Sequence, residues 1–136
     1  TLAKKIKNSN IVMLPGGFSA GDEPEGSGKF FAAAFRNQYV TDAVRDLLFN
    51  RDGLMLGICN GFQSLIKLGL VPYGDIKKLE SDSPTLTFNN IGRHQNMYAS
   101  TMVMSNNSPW LMNTKPGEIY EIAISHGEGK FVARIR

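Results

Sequence analysis

A chain of 136 residues, 42% hydrophobic and 20% charged, suits one soluble domain with a real core, and a net charge of +3 is too small to argue for nucleic acid. The single cysteine excludes an internal disulfide. With no signal-peptide pattern and no apolar run long enough to span a bilayer, the chain reads as cytoplasmic and reducing, without a membrane role.

Residues 1 to 9 are polar and finish a helix, with Lys4, Lys5 and Lys7 on a solvated face. The apolar run Asn10-Ile11-Val12-Met13-Leu14, stopped by Pro15-Gly16-Gly17, predicts a buried parallel strand entering a tight loop. From Phe18 to Lys29 a loop rich in Gly, Asp, Glu, Pro and Ser is too long for a simple connector, which marks it as functional. Residues 30 to 49 carry apolar side chains at Phe31, Phe35, Tyr39, Val40, Val44, Leu47 and Leu48, as one long helix or two short ones, with Thr41 capping a second segment at Asp42.

The stretch Gly53-Leu54-Met55-Leu56-Gly57-Ile58-Cys59-Asn60-Gly61-Phe62-Gln63-Ser64-Leu65-Ile66-Lys67-Leu68-Gly69 begins as a strand buried on both faces and continues with helical spacing. Cys59 falls at the junction, and Gly57 and Gly61 flank it two residues away on each side. This is the G-x-nucleophile-x-G arrangement of a nucleophile elbow, in which small neighbours permit a sharp turn that exposes the sulfur. The helix start beyond it favours negative charge at that sulfur.

The second half is β-rich: Thr85 to Phe88, Tyr98 to Met104 and Ile119 to Ile124 are separated by turn signals at Asn89-Asn90 and Lys115-Pro116-Gly117. Ser108-Pro109-Trp110-Leu111-Met112 predicts a short helix, and Phe131 to Arg136 a last strand. The expected fold is therefore α/β, a parallel-sheet core with flanking helices followed by additional mixed strands. The chain is short for a complete doubly wound enzyme, and its two ends read as those of an excised segment.

A cysteine nucleophile needs oxyanion donors and a base. The first donor of an elbow is the N–H after the nucleophile, here Asn60, and the second comes from a glycine-rich loop after a neighbouring strand, here Pro15-Gly16-Gly17. Only His94 and His126 are available as bases. His94 sits in a polar turn and reads as a surface histidine, whereas Ser125-His126-Gly127-Glu128-Gly129 follows a predicted strand. Cys59, His126 and Glu128 form a candidate triad, and histidine in such a glycine-rich loop also serves positioning or structure. One Cys and two distant His give no metal-ligand spacing, and the acidic Gly21 to Gly28 stretch lacks the lysine-serine step of a phosphate loop.

Leu56-Gly57-Ile58-Cys59-Asn60-Gly61-Phe62-Gln63 resembles the nucleophile signature of class I (triad) glutamine amidotransferases, a flavodoxin-like family. Together with Pro15-Gly16-Gly17-Phe18-Ser19-Ala20-Gly21-Asp22, Gly69-Leu70-Val71-Pro72 and Ser125-His126-Gly127-Glu128-Gly129, it resembles the glutaminase domains of phosphoribosylformylglycinamidine synthases over essentially the whole chain. The resemblance implies hydrolysis of glutamine through a thioester on Cys59, with ammonia passing to a synthetase domain or subunit that uses ATP and magnesium to amidate formylglycinamide ribonucleotide. It implies no cofactor in this domain. Asn60 and Gly17 would supply oxyanion N–H groups, while Gly16, Phe18, Gln63, Ser125, His126 and Gly127 would line the glutamine pocket.

In that family the catalytic His and Glu belong to a later His-Pro-Glu segment, which these 136 residues do not contain, and the family's first strand is missing too. Residues 1 to 136 thus read as a partial glutamine amidotransferase domain with little activity alone. The Gly21 to Lys29 loop inclines the reading toward a long-chain parent. Two alternatives stay open: another cysteine amidotransferase or hydrolase of this fold with His126 as its base, and a non-catalytic module that docks a synthetase.

Overall fold

The computed structural model describes residues 1–17 and 28–133, so the Phe18 to Ser27 part of the long loop and the last three residues of the expected closing strand lie outside the described residues. The chain divides into two units, one made of Thr1–Thr87 with Glu128–Arg136 and the other of Phe88–Gly127.

In the first unit, α1 (Leu2–Lys7) buries only Ile6 and keeps its three lysines in solvent, as expected. It leads into β1 (Ile11–Leu14), which pairs in parallel with β2 (Leu54–Gly57) from Ile11 opposite Leu54 to Leu14 opposite Gly57. The ladder runs on at both ends, where Leu54 N–H donates to Asn10 O at 3.0 Å and Ile58 N–H to Leu14 O at 3.0 Å. Both strands therefore end at the same level. Burial is incomplete in both strands: all four residues of β2, expected to be buried on both faces, are only partly buried, and in β1 Val12 and Leu14 join the core while Ile11 and Met13 are about half exposed, at 55% and 51%. Alternation sends those two side chains to the face that no helix covers among the described residues.

Between the strands lie α2 (Lys29–Phe35) and α3 (Gln38–Arg45), so the two-helix alternative is correct. The cap differs from expectation. Asn37 Oδ1 accepts from Tyr39 N–H at 3.1 Å and starts α3, while Thr41 lies inside the helix and its hydroxyl donates to Phe35 O at 2.9 Å. Thr41 thus satisfies a carbonyl that the end of α2 leaves without a helical partner. Tyr39 was expected in the apolar stripe, yet as the second residue of α3 it is 78% exposed. After Arg45 the helix widens into a π-helical turn, Asp46–Asn50, closed by Arg51 N–H to Asp46 O at 3.1 Å.

β2 is followed by α4 (Asn60–Leu68), which ends at Gly69 in the left-handed conformation, and by the single turn α5 (Leu70–Tyr73). Leu65 and Leu68 of α4 pack with Phe35, Val44, Leu47 and Ile76 in the core. Arg45 fastens α3 to the segment after α5, donating to both Asp75 carboxylate oxygens at 2.8 and 3.0 Å and to Ile76 O at 3.1 Å. The unit closes with β3 (Thr85–Thr87) antiparallel to a strand from beyond the insertion, Lys130–Val132.

The second unit is a hairpin of β4 (Gln95–Met102) and β5 (Ile119–His126), with Gln95 opposite His126 and Met102 opposite Ile119. The Lys130–Val132 strand is accordingly β6. β4 begins earlier than the Tyr98 expected, because polar Gln95 and Asn96 continue the ladder. The expected short helix is a 3-10 turn, Pro109–Leu111, with Pro at its first position and Ser108 Oγ accepting from Trp110 N–H at 3.4 Å. No helix among the described residues is long and apolar enough to cross a membrane.

Candidate active site

Cys59 stands between β2 and α4 with φ +52° and ψ −111°, a conformation rare for a residue with a side chain. Holding it costs on the order of 1–3 kcal/mol and requires the surroundings to over-determine the turn. They do: Ile58 N–H is held by Leu14 O at 3.0 Å, Gly61 N–H by Ile58 O at 2.9 Å, and Gln63 N–H donates to Cys59 O at 3.0 Å. The two flanking glycines make the turn possible by close approach. A Cβ at Gly57 would stand 2.7 Å from Gly61 O and from Leu65 Cδ1, and one at Gly61 would run into the Leu14 carbonyl. The result is a free, exposed thiol at the head of a nine-residue helix.

The level ends of β1 and β2 bring the Pro15-Gly16-Gly17 loop beside this thiol. A Cβ at Gly16 would lie 3.0 Å from Cys59 Cβ, 3.3 Å from Ile58 O and 3.8 Å from Cys59 Sγ. Gly17 follows with φ +104°, open space where a side chain would be, and is exposed to solvent. Gly16, Gly17, Cys59 and Asn60 are thus gathered at the carboxyl ends of two parallel strands, the place where open α/β sheets bind ligands. Phe18 lies outside the described residues.

On α4, Gln63 is buried and its Nε2 donates to Glu128 O at 3.0 Å, so it fastens the point where the chain returns from the second unit. Lys67, one turn later, is half-buried. Burial lowers its pKa, and the Glu128 carboxylate opposes that shift. Ser64, fully buried, has its Oγ 2.9 Å from Gly28 O and 3.0 Å from Asn60 O, tying the start of α2 to the first turn of α4.

The histidine loop belongs to the second unit. His126 is the last residue of β5 rather than a loop residue after it. Its Nδ1 is 3.0 Å from Asn89 Oδ1, so Asn89 and not Glu128 is the side chain that orients it, and the Cys59-His126-Glu128 triad loses its third member. Asn89, 8% exposed, also donates from Nδ2 to Arg93 O at 3.0 Å and to His126 O at 2.8 Å. The turn that Asn89-Asn90 predicts is present too: Gly92 N–H returns to Asn89 O at 2.9 Å. His94 is exposed as expected, but its Nε2 lies 2.8 Å from Ser125 Oγ. Among the described residues no group of three or more His, Cys, Asp or Glu could hold a metal ion.

Residues 1–136 match the family model of the CobB/CobQ-like glutamine amidotransferase domain. The chain is 36% identical over 135 residues to the phosphoribosylformylglycinamidine synthase subunit PurQ of Methanococcus maripaludis, covering 94% of this chain and 44% of that protein. It is 34% identical over 138 residues to the PurQ subunit of Treponema denticola, covering 95% and 49%. Among solved structures it resembles PurLQS from Thermotoga maritima, with a TM-score of 0.68 and 30% identity over 93% of this chain and 51% of that one. The chain spans about half the length of the curated relatives it matches. Those relatives are named as separate subunits, whereas the Gly21 to Lys29 loop had pointed to a long-chain parent.

Proposed function

The chain belongs to the CobB/CobQ-like glutamine amidotransferase family, and from that premise we propose that it carries the nucleophile and oxyanion loop of a glutaminase. In this reading the ammonia serves an ATP-dependent synthetase that converts formylglycinamide ribonucleotide to formylglycinamidine ribonucleotide in purine biosynthesis. The observation that carries it is Cys59 at positive φ, exposed on its elbow and abutted by Gly16.

Chemically, Cys59 Sγ attacks the carboxamide carbon of glutamine. The oxygen gains negative charge, received by the N–H groups of Asn60 and Gly17; removing one such donor costs about 2.7–4 kcal/mol of barrier in a well-studied hydrolase. The C–N bond then breaks, ammonia leaves with the thiol's proton, and water cleaves the thioester to glutamate. Gly16, Phe18, Gln63, Ser125, His126 and Gly127 are assigned to the glutamine pocket, Gln63 by fixing the backbone at Glu128. Proton transfer is assigned to the His-Pro-Glu segment that the family resemblance implies. ATP and magnesium act in the synthetase and not in this chain.

The test supplies glutamine labelled with 15N in its amide to the full-length protein together with its synthetase. Label should enter the amidine product, and Cys59→Ala should abolish that transfer while leaving synthesis from free ammonium intact. Equal transfer from glutamine by Cys59→Ala would overturn the proposal.

A further inference from the structure

The first turn of α4 is gripped at two places. Gly61 lies against the Leu14 carbonyl of β1, and Gly28, the residue before α2, lies against Asn60 and Ser64. Gly28 has φ +68°, and a Cβ there would run into Ser64 Oγ and stand 2.8 Å from both Asn60 O and Ser64 N. The Ser64 hydroxyl, 0% exposed, carries one proton and lies between two carbonyl oxygens, Gly28 O at 2.9 Å and Asn60 O at 3.0 Å. Shut off from solvent, it has these two oxygens as its hydrogen-bond partners. The consequence falls on Asn60. Its preceding peptide plane is held by Gln63 N–H, which donates to Cys59 O at 3.0 Å, and its following plane by Ser64 Oγ at Asn60 O. Because a peptide unit is planar, fixing both planes about the Asn60 Cα sets where its N–H points.

We infer that Gly28 and Ser64 are positioning residues that aim the Asn60 N–H at the oxyanion, with Gly28 keeping open the space into which the Ser64 hydroxyl reaches. This rests on the glutaminase reading, in which that N–H receives the negative charge developing on the carboxamide oxygen. Every residue involved lies in the first unit. A preorganised donor is effective because its direction is set before the charge develops. Loosening the turn therefore weakens stabilisation of the transition state and leaves binding of ground-state glutamine nearly unchanged.

The experiment compares Ser64→Ala with Thr41→Ala in the full-length protein together with its synthetase. Each variant removes one buried hydroxyl bonded to a backbone carbonyl, Gly28 O or Phe35 O, but the Thr41 bond joins α3 to the end of α2. Two quantities are read: amide hydrogen exchange over residues 58–64 by mass spectrometry, and steady-state glutaminase kinetics. Ser64→Ala should speed exchange of the Gly61 and Gln63 amides, which close the elbow, by about tenfold. It should also lower kcat about tenfold with KM within about twofold, against about 10²–10³ for outright loss of one such donor. Thr41→Ala should change neither. Gly28→Ala should lower kcat at least as far by displacing the Ser64 hydroxyl, and a wild-type kcat in that variant overturns the part assigned to Gly28. Unchanged exchange in Ser64→Ala overturns the grip on the turn. Faster exchange with unchanged kcat, or an equal fall of kcat in Thr41→Ala, overturns the positioning role. Faster exchange in Ser64→Ala beside a wild type that releases no glutamate from glutamine upholds the grip and counts against the glutaminase reading instead.

Discussion

Replacing Gly61 by alanine sets two opposing effects against each other. Gly61 is the second residue of α4, where alanine would cost the unfolded chain less freedom than glycine, so propensity alone predicts stabilisation by up to about 1 kcal/mol. Against this, the new Cβ would overlap the Leu14 carbonyl and come within 2.8 Å of Leu14 Cβ. Leu14 is 3% exposed, pairs with Gly57 and accepts from Ile58 N–H, so it has nowhere to retreat. Overpacking of this kind costs about 1–3 kcal/mol, and collision with backbone belongs at the upper end. The net expectation is a loss of about 2 kcal/mol, read as a lowered denaturant midpoint. Denaturant unfolding of the full-length protein measures it, with Gly127→Ala as control, since a Cβ there meets nothing within 4 Å and should change stability by no more than about 0.5 kcal/mol. A Gly61→Ala protein as stable as the wild type, or more so, would refute the claim that close approach of α4 to β1 dictates glycine at this position.

Further outcomes follow from the same geometry. Gly16→Ala should leave stability nearly unchanged, because Gly16 is exposed, but its Cβ would crowd Cys59 and lower kcat/KM for glutamine by about tenfold or more, read in the same kinetic assay. Ser64→Ala should cost about 1 kcal/mol in denaturant unfolding, since Gly28 O loses a buried donor. The hydrogen bond from Arg45 holds the Asp75 carboxyl below its usual range, so its stabilisation is present above the unfolded pKa of about 3.9 and disappears as pH falls through the lower folded value. The pair is more than a third exposed on the Arg45 side, so the term is under about 1 kcal/mol. The stability gap between wild type and Asp75→Asn should narrow between about pH 6 and about pH 3 in urea titrations, and a constant gap would contradict the assignment.

What the sequence made legible was mostly local. Glycine two residues to each side of Cys59, between a short apolar run and helical spacing, located the elbow because each requirement is met within a few residues. The adjacency of Gly16 to Cys59 was also legible, since two short parallel strands ending in glycines place both loops at one end. Helix starts were harder. Asn37 and Thr41 are both residue types that cap helices, and only tertiary packing sets Asn37 at the start of α3 and turns the Thr41 hydroxyl back to Phe35 O. The exposure of Ile11 and Met13 was not readable, because an apolar run does not reveal how many faces of its sheet are covered. Nor was the role of Asn89, whose partner His126 lies 37 residues away and meets it only once the hairpin forms. Its signal was an asparagine before a turn whose side chain had more to satisfy than the turn itself.

The most direct test of the central claim is covalent labelling of the full-length protein by an electrophilic glutamine analogue, read by peptide mass spectrometry beside an analogue lacking the amino-acid end. The account predicts a single adduct on Cys59, suppressed by glutamine and much slower with the truncated analogue. Equal labelling by both analogues, or an adduct elsewhere while Cys59 stays free, would contradict the assignment of this elbow as the glutaminase nucleophile.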